Sequence, residues 1–204
     1  MTPQMRKFLV WGSLIVLILI LYFYSKNSYN NLVALDENVT AQGHQVEVAY
    51  QARLDKTKNL FEIVLSSADF EKSTLTGIIE ARSKASSVQI NADNLTPEKI
   101  AEFEKAQNAF GQSLGRLLAI SENYPQLKST EAFRDFQTQY EGIENRIANE
   151  RRKFNEAAQD LNTTIRSFPQ NIWASMAHIE KRAYFESKAG AEDAPDIGKL
   201  RKEN

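Results

Sequence analysis

The chain begins on a stretch with no polar alternation. Phe8 to Tyr24 reads FLVWGSLIVLILILYFY and carries no charge. At ~1.5 Å per residue these roughly 17 positions reach about 26 Å, close to the thickness of a bilayer's hydrocarbon core. Trp11 lies near one end, and Tyr22 and Tyr24 lie at the other, where amphipathic rings favour the two interfaces. A soluble helix would show one polar face. A cleaved signal peptide would end in small residues, whereas this run ends in LYFYSKNSYNN. The pattern predicts an uncleaved transmembrane anchor over 8–24, marked by Phe8, Trp11, Leu14, Ile18, Tyr22 and Tyr24.

Beyond Tyr24 the apolar positions fall into steps of three and four. No proline occurs between Pro3 and Pro97 and no glycine between Gly12 and Gly43, so nothing local ends the helix after Tyr24. Leu32, Leu35, Val39, Val46 and Ala49, then Leu60, Phe61, Val64 and Ala68, trace one face of a helix over 25–68. Arg53, Asp55, Lys56 and Lys58 interrupt it. A second helix is expected over 71–89, with Leu75, Ile78, Ile79, Ala81, Ala85 and Val88, followed by a polar loop through Leu95. Thr96, Pro97 and Glu98 form a helix start by capping, fixed φ and dipole complement. That third helix carries Ile100, Phe103, Phe110, Leu114 and Leu117 and ends by Pro125; Gly111 and Gly115 suggest close packing.

The fourth helix has the longest stripe: Phe133, Phe136, Tyr140, Ile143, Ile147, Phe154, Ala157, Leu161 and Phe168, with Glu150 and Thr164 in the gaps. Ser129 or Thr130 can cap it, and Phe168-Pro169 ends it. At about 38 residues, roughly 57 Å, it needs partners of similar length. The expected fold is all-α: a single N-terminal transmembrane helix followed by an elongated antiparallel four-helix bundle. Leu35, Val39, Val46, Phe110, Leu114, Phe136, Tyr140, Ile143, Ile147, Phe154 and Leu161 are the expected core. Ile172, Trp173, Met176 and Ile179 fit a short amphipathic helix. The expected organisation is a cytoplasmic N-terminus over 1–7, the anchor, a bundle over 25–186, and a polar disordered tail over 187–204.

Charge adds a direction. Arg6, Lys7 and the α-amino group precede the apolar run, whereas Asp36 and Glu37 soon follow Lys26. The positive-inside rule places the N-terminus in the cytoplasm and the bundle on the extracytoplasmic side of the cell (inner) membrane. The net charge of -1 supplies no basic field for nucleic acid. The absence of cysteine excludes disulfides, thiol catalysis and thiolate zinc sites.

No reaction is legible. Neither His44 nor His178 has a glutamate three residues before it, as di-metal helical bundles require. There is no glycine-rich phosphate loop and no Gly-x-Ser-x-Gly elbow. Glu141, Glu144 and Glu150 share the fourth helix with Arg146, Arg151 and Arg166, and ion pairing explains them more simply than acid–base chemistry. Catalytic, metal and cofactor sites are therefore not expected.

Several strings carry a family resemblance. Tyr29-Asn30-Asn31-Leu32-Val33, Glu37-Asn38-Val39, Gln51, Arg53-Leu54-Asp55 and Ala81-Arg82 with Ala85 form one group. Ser121 to Pro125, Leu127-Lys128, Glu141-Gly142, Glu144 to Ala148, Arg151-Arg152, Phe154-Asn155 and Asn162 to Pro169 form another. Together, over 28–186, they resemble the LemA family. The resemblance implies a bacterial, membrane-anchored helical protein that is no established enzyme and that self-assembles or pairs with envelope proteins. After Asp55 the sequence departs from the family's Leu-Ile-Pro with Lys56-Thr57-Lys58; without the proline that helix should run unkinked.

The reading that follows is a non-enzymatic envelope protein acting as a helical spacer and self-assembly module. Its expected partners are the lipid bilayer, further copies of itself and an envelope protein, with no nucleic acid. An adaptor or sensor for another membrane protein is the alternative, with Lys56, Lys58 and Trp173 as its partner surface. An unrecognised hydrolase would require a buried carboxylate pair lining a pocket.

Overall fold

A computed structural model of the chain describes residues 3–65, 72–88 and 95–186. The expectations for Ala68, the polar loop over 89–94 and the tail over 187–204 lie outside the described residues. Among the described residues there are six helices and no strand: α1 (Pro3–Leu65), α2 (Lys72–Ser87), α3 (Pro97–Ser121), α4 (Pro125–Lys128), α5 (Glu131–Arg166) and α6 (Gln170–Met176).

The first helix is a single unbroken rod of 63 residues, roughly 95 Å long at ~1.5 Å per residue. It passes Gly12 and Gly43 without interruption because neither has a neighbouring proline to remove a hydrogen bond. Its two halves have different surroundings. Phe8, Trp11, Leu14, Ile18, Tyr22 and Tyr24 are all exposed, as is every apolar side chain between them. This is the one described helix long and apolar enough to cross a membrane. From Ser28 onward one stripe goes inside: Leu32, Val39, Val46, Ala49, Tyr50 and Leu54 are buried. Thr57, also buried, donates its hydroxyl back to the carbonyls of Arg53 (3.0 Å) and Leu54 (2.9 Å). A hydroxyl without a partner there would carry the cost of its own desolvation.

Helix α5 is the main partner of α1. Its 36 residues span roughly 54 Å, about the length of the packed part of α1. Residue pairings descend along α5 as they ascend along α1: Asp36 meets Arg182, which is held beside Asn162 of α5, Tyr50 meets Arg151, and Arg53 meets Glu144. Helices α2 and α3 pack on each other and close the remaining side. Thr96 caps α3 by accepting from the Lys99 amide (3.4 Å), and Thr130 caps α5 by accepting from the Phe133 amide (3.3 Å). These contacts satisfy amides that the first helical turn leaves without partners.

The apolar interior falls into two clusters. One gathers Val39, Val46, Ile100, Phe103, Ile147, Phe154, Leu161 and Phe185. The other gathers Leu60, Ile78, Phe110, Leu114, Leu117, Phe133 and Phe136. Leu35, Tyr140 and Ile143 are half-buried against them.

Four features differ from the sequence pattern. Phe168, which continues the α5 stripe in register, is 82% exposed because the helix has already ended at Arg166. Leu95, read as part of a polar loop, is buried. The short helix α4 buries Leu127 between α3 and α5. Helix α6 stops at Met176, so Ile179 lies outside it in an extended segment.

A continuous α1 makes a direct prediction. In full-length protein, trypsin should cut slowly after Lys26, because residues 25–31 are helical and Ser28 and Leu32 are packed. Rapid cleavage there would reveal a hinge between the two halves.

Candidate functional site

Two polar constellations stand out in an otherwise apolar interior. The first centres on Arg53, whose side chain is only 5% exposed. Its position on the apolar stripe of α1 points the guanidinium between the two core clusters. One terminal nitrogen donates to Glu144 Oε1 on α5 (3.1 Å). The other donates to Gln107 on α3 twice, to the backbone oxygen (2.8 Å) and to Oε1 (2.6 Å). Gln107 Nε2 in turn donates to the Ala85 carbonyl of α2 (3.2 Å). Arg82 of α2 donates back to the Leu54 carbonyl of α1 (3.1 Å). The faces of Tyr50 and Phe110 lie 5.1 and 5.4 Å from the guanidinium carbon, within the range in which a ring quadrupole attracts a cation. Gly111 leaves the guanidinium room: a Cβ there would sit 3.4 Å from Arg53 Nη1. Among the buried side-chain polar atoms of the described residues, Arg53 Nε alone has no hydrogen-bond partner.

The second constellation holds the segment after α6. Asn155 and Asn162 lie seven positions apart, on one face of α5. Asn162 Oδ1 accepts from the Arg182 amide (2.8 Å), and its Nδ2 donates to the Arg182 carbonyl (2.8 Å) and to the Tyr184 hydroxyl (3.0 Å). Asn155 repeats the pattern on Phe185, accepting from its amide (2.9 Å) and donating to its carbonyl (2.8 Å). The spacing fits: seven helical residues rise about 10.5 Å, and three extended residues cover about 10 Å. Each side-chain amide thus pairs with the strap as a neighbouring strand would. Phe185 is buried edge-on against Phe154, 5.0 Å between centroids. Arg151 lies over the Phe185 ring at 5.3 Å and donates to Glu104 and to the Glu186 carbonyl. Arg182 donates from Nε (3.1 Å) and Nη2 (2.7 Å) to Asp36 of α1.

These surroundings shift three groups, and a helix start shifts a fourth. Burial pushes the Tyr140 phenol up to about 12, and the neighbouring Glu144 carboxylate adds to the rise. Burial also raises Tyr50 against the pull of Arg151 and Arg53. It raises Glu104 too, although Arg151 lowers it. Glu98, at the start of α3, is held below the ordinary carboxylate range by hydrogen bonds from its own backbone amide and the Thr96 side chain.

The residues singled out from sequence are scattered. Lys56 and Lys58 are exposed on α1, and Trp173 is half-buried on α6 beside Tyr22 to Asn30 at the other end of the packed part of α1. Glu141 is exposed. Of the α5 charges expected to be ion-paired, Glu144 and Arg151 reach other helices, and Glu150 pairs with Lys153. Gly115 has open space where its Cβ would be, unlike Gly111. His44 pairs with Glu47 at 3.5 Å on the surface. His178 adopts a left-handed backbone (φ 54) just after α6. Among the described residues no three or more of His, Asp and Glu gather where they could hold a metal. What sequence reading missed is the role of Arg53, taken as part of a wet interruption, and the strap. A lone arginine flanked by Tyr50, Leu54 and Thr57 was the available signal for the first. The seven-residue spacing of Asn155 and Asn162 was the signal for the second.

Replacing Arg53→Ala should cost about 3–5 kcal/mol, since it takes the cation away from Glu144, strands the Gln107 side-chain oxygen and leaves a void. Denaturant unfolding of detergent-solubilised protein, followed by circular dichroism, measures it. Glu104→Gln separates burial from ion pairing. A carboxyl raised in the folded state binds its proton there more readily than when unfolded, so its contribution falls as pH rises through and above the ordinary value of 4.5. The variant should therefore gain stability relative to the parent as pH rises through that window. A loss would mean that the Arg151 pairing dominates.

The comparisons with known proteins follow the same outline. The LemA family profile matches residues 42–198. Two magnetosome proteins, MamQ 1 and MamQ 2 of Paramagnetospirillum magneticum (strain ATCC 700264 / AMB-1), are each 27% identical to this chain over 188 residues, covering 83% of it and 68% of theirs. Protein LemA of Metamycoplasma hominis (strain ATCC 23114 / DSM 25592 / NBRC 14850 / NCTC 10111 / PG21) is 24% identical over 196 residues, covering 96% of this chain and 86% of its own. With its family profile spanning most of the helical part and these relatives aligned across it, the chain belongs to the LemA family.

Proposed function

We propose that this chain is a non-enzymatic, single-pass membrane protein whose antiparallel four-helix bundle serves as a rigid spacer and self-assembly module on the extracytoplasmic side of the inner membrane. The observation that carries this reading is α1: an unbroken helix that is bare over its apolar half and packed over the rest. An apolar band on every face of a helix is compatible with lipid and not with water. Since no breaker intervenes, the bundle is a continuation of the anchor, held at a fixed attitude to the membrane. Arg6 and Lys7 favour a cytoplasmic N-terminus.

The polar constellations support a structural role. The buried or half-buried carboxylates Glu104, Glu144 and Glu150 each face a cation. Glu104 also lies near the Glu186 carboxylate, and Glu144, Glu156 and Glu186 line one cleft, but Arg151 and Arg152 stand in the same lining and favour ion pairing over the acid–base work that the hydrolase alternative needs. Rods confined to one membrane with parallel axes meet at a high effective concentration, so weak lateral contacts suffice for assembly.

The cysteine-free sequence gives a clean test. A single Lys58→Cys, exposed on α1, should react with a membrane-impermeant maleimide added outside spheroplasts, and a reporter that fluoresces only in the cytoplasm, fused after Asn204, should stay dark. Oxidation of that variant in membranes should yield dimers, and an amine crosslinker should yield a ladder. Monomers under both treatments would remove self-assembly, and a bright reporter would invert the topology.

A further inference from the structure

Helix α6 has its apolar side chains on the wrong side for a packed protein. Ala174 is buried against the bundle, yet Ile172 and Met176, one turn apart, are 48% and 69% exposed, and Phe168 just ahead of them is 82% exposed. Single exposed apolar residues are ordinary; three within nine positions on one short turn of chain form a patch.

The course of the backbone fixes where the patch points. The chain comes down α5 to Arg166, makes α6, and then climbs back along α5, so that Arg182 is level with Asn162. The reversal is a left-handed cap. The His178 amide donates to the Ser175 carbonyl (3.3 Å) and the Ile179 amide donates to the Ala174 carbonyl (3.0 Å), with His178 at φ 54. Residues 168–176 are therefore, among the described residues, the turn of the bundle nearest the exposed half of α1. Trp173 and Met176 form one wall of a shallow groove whose other wall is Tyr22, Lys26 and Tyr29. Tyr22 belongs to the apolar run, and Lys26 is the first charge after it. The patch thus lies where the lipid-facing surface of α1 gives way to its packed surface.

We infer that Phe168, Ile172 and Met176 form a second membrane contact, an interfacial foot that seats the base of the bundle in the headgroup–acyl boundary. The inference rests on α1 being the membrane anchor. The occupant is the bilayer, because the patch adjoins the one helix among the described residues suited to lipid and carries at its edge the pairing found at interfaces: aromatic rings with a lysine able to extend toward headgroups. Insertion to about 5–10 Å is usual for apolar faces lying in the membrane plane. A foot beside the anchor provides two points of attachment, which restrict tilt as well as position.

The chain has two tryptophans, and each reports one contact. Full-length Trp11→Phe, which leaves Trp173, and full-length Trp173→Phe, which leaves Trp11, are reconstituted in phosphatidylcholine–phosphatidylglycerol vesicles containing lipids brominated either near the headgroup or near the chain end. Trp173 emission should be quenched, more by the shallow bromines than by the deep ones. Replacing Phe168, Ile172 and Met176 together by serine in the Trp11→Phe background should abolish most of that quenching. Because all three are exposed, the helical signal and melting should not change. Quenching of Trp11 with Trp173 unaffected overturns the foot and leaves the anchor standing. Absence of quenching at both overturns the anchor and the foot with it. Trp173 quenching that survives the serine variant overturns the assignment to these side chains. Trp173 protection that appears only at high protein density, with crosslinking through α6, gives the patch to a second copy and overturns it too.

Discussion

A guanidinium buried between two apolar clusters is the constraint on which the rest of the bundle depends. Arg53 cannot shed its charge, and leaving it without partners in the interior would cost several kcal/mol. Its hydrogen bonds draw on α3 and α5 directly and on α2 through Gln107. A slide of any one helix by a turn would break at least one of these bonds while leaving most apolar contacts replaceable, since leucine and phenylalanine stripes repeat every turn. The clusters supply the drive to associate, and the arginine selects the register. Buried ion pairs often add little net stability over apolar packing, so selection is the better account of why it is placed there.

The register matters because α1 is one rigid body. A helix that passes without a break from an exposed apolar band into a packed domain converts a tether into a lever. Whatever fixes the angle between α5 and the upper half of α1 also fixes the attitude of the domain to its apolar base. Two ties do this at different heights: Arg53–Glu144 in the middle, and Arg182–Asp36 lower down. The asparagine ladder makes the lower tie stiff, because it anchors the strap to α5 by backbone hydrogen bonds at two points before Arg182 reaches across.

The legible part of the sequence was its periodicity. Long segments with apolar residues at three and four produce long helices, and the caps at Thr96 and Thr130 are local chemistry that needs no tertiary knowledge. The features that escaped are those in which one residue's meaning depends on a distant one. Arg53 beside Asp55, Lys56 and Lys58 looks like a wet patch; only the arrival of Gln107 and Glu144 makes it an interior residue. Asn155 and Asn162 look like surface polar positions until the strap lies on them. Phe168 fits the α5 stripe by spacing, but Ser167 takes an extended backbone and rotates it out of register. The strings that carry the family resemblance contain these very residues: Arg53, Glu144, Arg151, Asn155 and Asn162. Their roles here are ties between helices.

That placement bears on what kind of activity the domain can have. A catalytic bundle keeps some polar group unsatisfied and facing a cavity, so that substrate completes its hydrogen bonding. Here the buried polar groups pair mainly with one another, and Glu144, Arg151 and Asn155 also line a shallow cleft. The Arg53 guanidinium, the Gln107 amide and the two asparagines are spent on protein partners, and the buried donor left bare among the described residues, Arg53 Nε, belongs to a guanidinium flanked by the Tyr50 and Phe110 rings. What the domain leaves open is its outer surface: exposed charge along α1, α3 and α5, and an apolar patch at its base. The buried network sets the geometry in which those surfaces are presented.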